Sequence, residues 1–144
     1  MPNQESLGHA IAASRLSGIA LLVDDDIEVR DAMGDLVACE GLRVNVAGDG
    51  LEALELLRAG LRPSVIVLDL IMPRMDGRDF RQAQKADRDL KDIPVIVVSA
   101  GGFRAETFRR EFRDVQWFEK PFEPVTFLRA IGQCCQSGRR PPIH

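Results

Sequence analysis

Hydrophobic residues occur along the chain in short continuous runs that alternate with longer stretches of helical periodicity. Five runs rich in β-branched residues predict strands over Ile19–Val23, Arg43–Ala47, Val65–Leu68, Val95–Val98 and Val115–Phe118. The first, third and fourth runs are continuously apolar, which is typical of strands covered on both faces of a parallel sheet. We therefore expect these three strands to lie in the interior of the sheet.

Amphipathic stretches follow each of these runs and predict five helices. The helices are expected over Asp26–Glu40, Gly50–Ala59, a stretch after Met75, roughly Phe103–Phe112, and Glu123 to about Cys135. Asp49 is a suitable N-cap for the second helix, and Gly41 and Gly60 follow the ends of the first two. Helices and strands therefore alternate along the whole patterned region.

This alternation favours an α/β fold with a parallel sheet and right-handed crossovers. We predict a doubly wound, flavodoxin-like fold, in which five helices cover a five-stranded parallel sheet of order 2-1-3-4-5. That order places the three most apolar strands inside. We expect one domain over residues 18–136, with flexible segments at residues 1–17 and 137–144.

The composition agrees with a single globular domain and excludes several classes of protein. The 144 residues are 45% hydrophobic, enough to bury a core without disulfides or metals. Cys39, Cys134 and Cys135 form neither a disulfide framework nor a zinc ligand set, so we expect reduced thiols. No apolar run approaches the ~18 residues needed to span a bilayer, and the N-terminus does not resemble a secretory signal. We expect a cytoplasmic protein without membrane contact.

Charge is distributed unevenly. The net charge is −3, and residues 1–72 hold 12 acidic and 5 basic residues, against 10 and 14 in the remainder. This balance is unlike that of a nucleic-acid binder, so we expect no direct nucleic-acid partner. The basic residues on or near the fourth predicted helix are Arg104, Arg109, Arg110 and Arg113. We interpret them as a solvated face interleaved with Glu106 and Glu111, although a partner-docking surface stays open.

Acidic residues follow two strands that are neighbours in the predicted sheet. Asp24 and Asp25 follow the first strand, and Asp69 follows the third. Ligands of open α/β sheets bind outside the carboxyl ends of the strands where the strand order reverses, so these acids should share one crevice. Crowded carboxylates repel one another unless a cation is present, and Mg²⁺ prefers oxygen ligands. The sequence therefore predicts a Mg²⁺ site.

Two other polar side chains follow the remaining interior and edge strands. Ser99 ends the fourth strand, and Lys120, one of only three lysines, follows the fifth. A metal, an ammonium group, a hydroxyl group and a free carboxylate oxygen together suit phosphoryl transfer, in which catalysis is mostly positioning and charge stabilisation. In such a site Asp69 is the nucleophile and forms an aspartyl phosphate.

Four motifs at the strand ends, in this order, resemble the receiver domain of two-component response regulators. They are Val23–Asp26, Val67–Gly77, Val97–Ala100 and Phe118–Phe122, and the resemblance covers about residues 18–135. It implies that Asp69 accepts a phosphoryl group from a sensor histidine kinase or a histidine phosphotransfer protein. It also implies a signalling domain rather than an enzyme, one that catalyses only its own phosphorylation and dephosphorylation, and a downstream protein target.

The resemblance also assigns the metal ligands. It implies that Asp25, Asp69 and the backbone carbonyl of Ile71 bind Mg²⁺, with Asp24 acting through a water molecule. Ile71 and Gly101 occupy positions that tune hydrolysis in the family. Neither side chain can orient an attacking water molecule, so we predict slow self-dephosphorylation.

The resemblance further implies a conformational switch. Ser99 and Lys120 would hold the phosphoryl oxygens and couple them to movement of the fourth helix and fifth strand, and the Lys120–Pro121 bond is cis in the family. Trp117 matches a switch aromatic that is usually Tyr, Phe or His, so an inward swing and a static packing role both stay open. The surface of the fourth helix, fifth strand and fifth helix is where partners or a second receiver dock.

Two alternative functions remain at this point. A Mg²⁺-dependent phosphatase of the haloacid dehalogenase type also uses an aspartyl nucleophile, but it places a second Asp two residues later, where this chain has Ile71. A receiver that is never phosphorylated and serves as a scaffold is the other. Asp26 and Asp76 we interpret as helix caps or turn residues rather than ligands.

Overall fold

A computed structural model describes residues 16–100 and 103–139. The strands are β1 (Ile19–Val23), β2 (Arg43–Ala47), β3 (Val65–Asp69), β4 (Val95–Ser99) and β5 (Gln116–Glu119). The helices are α1 (Ile27–Cys39), α2 (Gly50–Arg58), α3 (Gly77–Lys85), α4 (Phe103–Glu111) and α5 (Pro124–Arg139). Every strand and helix predicted from the sequence is present.

The five strands form one parallel sheet in the order β2-β1-β3-β4-β5. This confirms the predicted fold class and strand order. The register pairs Val23 with Leu68, Asp69 with Val98, and Ser99 with Glu119. Because all strands run in one direction and end nearly level, the residues that follow them are delivered to the same edge of the sheet.

Helices cover both faces of the sheet. All five residues of β3 and of β4 are buried, as their continuous apolar runs predict. On one face Leu54 of α2, Phe80 of α3 and Phe108 of α4 form the core, and on the other Met33 of α1 and Phe127 of α5 do so. The central strands are thus held rigidly between two apolar layers.

Aspartate side chains begin three of the helices. The carboxylate of Asp26 accepts hydrogen bonds from the N–H groups of Glu28 and Val29 at 3.0 and 3.2 Å, and Asp49 and Asp76 cap α2 and α3 in the same way. Each such cap contributes about 1 kcal/mol. The capping roles expected for Asp26 and Asp49 are confirmed.

The ends of the domain differ from the expectation in detail. Helix α5 continues to Arg139, beyond the expected end near Cys135, because Gly138 alone does not stop it and the next proline is Pro141. Leu16 packs against the core under α1 and α5, and its N–H donates to the Glu40 carbonyl at 2.8 Å. Most of the expected flexible segments, residues 1–15 and 140–144, lies outside the described residues, as does Gly101. Among the described helices, none has the length and apolarity that crossing a membrane requires.

Candidate functional site

Three carboxylates meet at the carboxyl edge of the sheet. Asp24 and Asp25 follow β1, and Asp69 is the last residue of β3. One oxygen of each lies within 4.8 Å of the others. Asp24 is fully buried, Asp69 is nearly so, and Asp25 is exposed. The clustering predicted from the strand ends is therefore correct, and the exposed member leaves the cluster open to solvent.

Backbone contacts hold Asp24 in place. Its N–H donates to the Ala47 carbonyl at 3.1 Å, which continues the β1–β2 ladder past the last strand residue. Its Oδ1 accepts from the Asp26 N–H at 2.9 Å, and its carbonyl accepts from Arg30 at 3.3 Å. Asp24 is thus fixed at both its backbone and its side chain.

Lys120 brings a positive charge to the cluster from the end of β5. Its Nζ lies 3.3 Å from Asp24 Oδ2 and 3.7 Å from Asp69 Oδ1. The backbone N–H of Lys120 donates to the Ser99 carbonyl at 2.7 Å, and the Lys120–Pro121 peptide bond is cis, as the resemblance implies. One ammonium group does not balance three carboxylates, so the cluster carries an excess of negative charge.

Burial and the neighbouring acids both act on the pKa of Asp69. Burial raises the pKa of Asp69 to about 6, with a further rise from the charge of Asp24, while Lys120 acts in the opposite direction. A carboxylate that is costly to ionise gains most from a bound cation. Hard oxygen donors that remain partly open to solvent suit Mg²⁺, which keeps some of its water when bound. The residues present therefore fit this metal.

Ser99 and Ile71 flank the cluster. Ser99 is buried at the end of β4, one residue beyond Val98, the strand partner of Asp69. Ile71 lies two residues after Asp69, and its side chain is about half exposed, at 47%. No carboxylate stands at that position to act as a general acid, which the phosphatase alternative requires.

The segment that connects β3 to α3, residues 70–76, packs closely against the start of α2. The Gly77 N–H donates to the Leu70 carbonyl at 2.8 Å, and the Gly50 N–H donates to the Met75 carbonyl at 2.9 Å. A Cβ on Gly77 would lie 2.7 Å from the backbone oxygen of Asp69, closer than real contacts allow. The two glycines therefore permit the close approach of backbone segments on which this packing depends. We call residues 70–76 the β3–α3 loop.

One ion pair at this loop is absent from the sequence predictions. Arg74 Nε lies 2.6 Å from Oδ2 of Asp49, the residue that caps α2. The two residues are 25 positions apart and belong to different loops. No local pattern indicates such a contact, because it depends on how two loops meet above the sheet.

Trp117 on β5 contacts two residues of α4. Its ring lies 5.2 Å from that of Phe108 in an edge-to-face arrangement, and the Arg109 guanidinium lies 5.1 Å from its centre. Arg109 is thus more than part of a solvated face. Glu111 pairs with Arg78 of α3, at 2.7 Å, rather than with an arginine of its own helix, which corrects the interleaving expected from the sequence.

The sequence of this chain matches a known protein family. The family model for the response regulator receiver domain matches residues 20–131. The response regulator MprA of Mycobacterium sp. (strain KMS) is 40% identical over 80 residues, which are 56% of this chain and 34% of that protein. MprA of Mycobacterium leprae (strain TN) is also 40% identical over 80 residues. The matched region is thus about a third of the length of these relatives.

Solved structures share the fold. The signal receiver domain of a signal transduction histidine kinase from Syntrophus aciditrophicus aligns with a TM-score of 0.79 at 23% identity, covering 88% of this chain and 96% of that one. Chemotaxis protein CheY4 of Vibrio cholerae aligns with a TM-score of 0.73 at 28% identity, covering 82% and 98%. Both likenesses extend over nearly the whole of the compared domain.

Proposed function

This chain belongs to the family of response regulator receiver domains, which are signalling domains of two-component systems, and from that premise we propose that Asp69 accepts a phosphoryl group. The observation that carries the proposal is the meeting of Asp24, Asp25, Asp69 and Lys120 at one edge of the sheet. A carboxylate nucleophile beside an ammonium group suits transfer of an anionic group.

Each residue has a distinct part in the proposed reaction. An oxygen of Asp69 attacks the phosphorus of the donor, forming an acyl phosphate as the bond from phosphorus to the donor's leaving atom breaks. Lys120 offsets the negative charge of the phosphoryl oxygens, and the Ser99 hydroxyl donates a hydrogen bond to them. Burial raises the pKa of Asp69 only to about 6, so the nucleophilic carboxylate form is available at pH 7.

Mg²⁺ belongs to the same proposal. Asp25, Asp69 and the backbone carbonyl of Ile71 would hold the ion, and Asp24 would hold one of its water molecules. When bound, Mg²⁺ supplies the positive charge that lets an anionic donor approach an acidic cluster. The chain's own contribution is the alignment of the carboxylates with Lys120.

The proposed partners follow from the chemistry. A sensor histidine kinase or a histidine phosphotransfer protein supplies the phosphoryl group. A downstream protein target recognises the phosphorylated state at the surface formed by α4, β5 and α5. That surface is also the place for a homodimer. We propose residues 18–136 as the receiver unit, which catalyses only its own phosphorylation and dephosphorylation. Ser99 and Trp117 would transmit the phosphorylation state of Asp69 to that surface.

Intact mass after incubation with acetyl phosphate tests the proposal. We expect one Mg²⁺-dependent phosphoryl adduct on the native chain and on the control variant Asp92→Asn, whose exposed acid lies before β4, and none on Asp69→Asn. Retention of the adduct in Asp69→Asn would reassign the acceptor. Its absence from the native chain, when Mg²⁺ binds, would favour a scaffold role.

A further inference from the structure

An ion pair outside the acidic cluster ties the β3–α3 loop to the start of α2. The Arg74 Nε donates to Asp49 Oδ2 at 2.6 Å. The Asp49 side chain is almost wholly buried, whereas 61% of the Arg74 side chain is exposed. The two loops follow β2 and β3, the strands on either side of β1. The pair therefore links the loops that follow the two strands flanking β1, the strand that two of the three acids follow.

Both oxygens of Asp49 are in use. Oδ1 accepts from the Glu52 N–H at 2.9 Å and caps α2, while Oδ2 binds Arg74. Burial alone would raise the pKa of Asp49, but the hydrogen bonds from Glu52 and Arg74 outweigh it and hold the pKa below its usual value. Asp49 is therefore a fixed negative charge to which the loop is anchored.

The backbone of Arg74 is in the left-handed region, at φ 59°, and no other non-glycine residue among those described has a positive φ. Arginine has no side-chain hydrogen bond to its own backbone that would favour this conformation, as asparagine has. Such conformations persist where surrounding contacts impose them. The bond to Asp49 is one such contact.

The position of Arg74 in the β3–α3 loop lets the ion pair restrain the part of the loop next to Ile71. Backbone hydrogen bonds fix the loop at Leu70, through Gly77, and at Met75, through Gly50. Between them the Met75 N–H donates to the Pro73 carbonyl at 2.6 Å, and the Arg74 side chain ties this stretch to Asp49. Three residues before Arg74 is Ile71, whose carbonyl is the proposed backbone ligand for Mg²⁺.

We propose that Arg74 and Asp49 are positioning residues that hold the Ile71 carbonyl and the adjoining Asp69 in register for Mg²⁺. This inference rests on the proposed function. Mg²⁺ requires near-ideal octahedral geometry, so a loop that samples several conformations loses affinity for the ion. Residues that contact metal ligands and orient them are known to matter for affinity. Their mutation commonly lowers metal affinity roughly 10- to 100-fold.

Three substitutions separate positioning from folding. Asp49→Asn keeps an oxygen that caps α2 but removes the charge that holds Arg74, since Asn and Asp are similar N-caps. Arg74→Gly removes the side chain and also relieves the left-handed backbone, while Arg74→Lys keeps a cation. Arg78→Gln is the matched control, because Arg78 also forms an ion pair, with Glu111, outside the β3–α3 loop.

Calorimetric titration with MgCl₂ alone measures the effect without any phosphodonor. We expect Mg²⁺ to bind about tenfold more weakly to Asp49→Asn and to Arg74→Gly, at the lower end of the range for such partners. The double variant should be no weaker than either single one, because both remove the same interaction. Arg74→Lys and Arg78→Gln should bind like the native chain.

Phosphorylation by acetyl phosphate adds a second readout. In both weakened variants the half-saturating Mg²⁺ concentration should rise by the same factor, and the rate at saturating Mg²⁺ should recover. Native-like Mg²⁺ affinity in both variants, or an equal loss in Arg78→Gln, would overturn the inference. A native chain that binds Mg²⁺ but gains no phosphoryl group would contradict the proposed function instead, and the calorimetric comparison would still decide the role of Arg74 and Asp49.

Discussion

The ammonium group of Lys120 lies 3.3 Å from the carboxylate of Asp24, although 96 residues separate the two along the chain. Asp24 is fully buried and Lys120 is a quarter exposed. Lys120 thus provides a positive charge in direct contact with this buried carboxylate. The contact therefore contributes to folding as well as to the proposed chemistry.

Removal of the Lys120 charge should destabilise the metal-free protein. Lys120→Met leaves the Asp24 carboxylate buried beside two other acids, and we expect a loss of about 1 to 3 kcal/mol in the free energy of unfolding. Urea denaturation in EDTA measures it. Lys85→Met is the control, because Lys85 pairs with Asp114 at the surface and should cost less than about 1 kcal/mol. Equal losses in the two variants would contradict a special role for Lys120.

Asp69→Asn should stabilise the metal-free protein, and more so as the pH rises. Burial and the charge of Asp24 raise the pKa of Asp69 to about 6 from 3.8, so the folded state binds this proton more tightly than the unfolded state. The associated stability is complete below about pH 4 and is lost as the pH rises through 6. Asparagine has no proton to lose.

The difference between native and Asp69→Asn unfolding free energies in EDTA should therefore be small at pH 4.5 and reach about 1 to 2 kcal/mol above pH 7, less than full linkage because solvent screens the cluster. Thermal or urea denaturation across this range measures it. Added Mg²⁺ should stabilise only the native chain appreciably. A stabilisation by Asp69→Asn that becomes smaller as the pH rises would contradict the unfavourable ionisation of Asp69.

An aspartyl phosphate on this chain should be long-lived. The Ile71 side chain is half exposed two residues from Asp69, and it has no polar atom with which to orient an attacking water molecule. Ile71→Asn supplies one and should shorten the half-life at least about tenfold. Loss of the adduct mass over time, after removal of acetyl phosphate, measures it. A native half-life of seconds would refute the expectation.

The three cysteines should differ sharply in reactivity. Cys39 is exposed, whereas Cys134 and Cys135 are buried, and burial, with a smaller contribution from Cys135, raises the pKa of Cys134 to about 11. The thiolate is the reactive form, and little of it exists at Cys134 below that pH. We expect one thiol per folded chain to react promptly with a colorimetric disulfide reagent at pH 8, and three in urea. Rapid loss of two or more from the folded chain would contradict this.

The fold and the acidic cluster were predictable because their signals are local. Continuous apolar runs identify β1, β3 and β4, and a parallel sheet brings the residues after its strands to one edge. Asp24, Asp25 and Asp69 therefore could be placed together without coordinates. Helix ends follow less directly from the pattern, since α5 continues past Gly138.

Long-range side-chain contacts were not predictable in the same way. Arg81 is buried, donates a hydrogen bond to Gln84 Oε1 at 2.7 Å and pairs with Asp114 at 2.7 Å, although arginine is rarely buried unless it is paired. Its burial depends on the segment after α3, which Gln84 secures by donating to the Leu90 carbonyl at 2.9 Å. The Arg74–Asp49 pair likewise depends on how two loops meet, which no spacing in the sequence encodes.

The parallel strand order also determines when the site comes into existence as the chain is made. Asp24 and Asp69 leave the ribosome well before Lys120, which follows an edge strand paired only with β4. A nascent chain that stops short of β5 therefore exposes an acidic pocket without its counter-ion. Addition of the fifth strand completes the sheet and brings Lys120 to that pocket, where it offsets part of the negative charge, so the sheet and the proposed acceptor site are completed together.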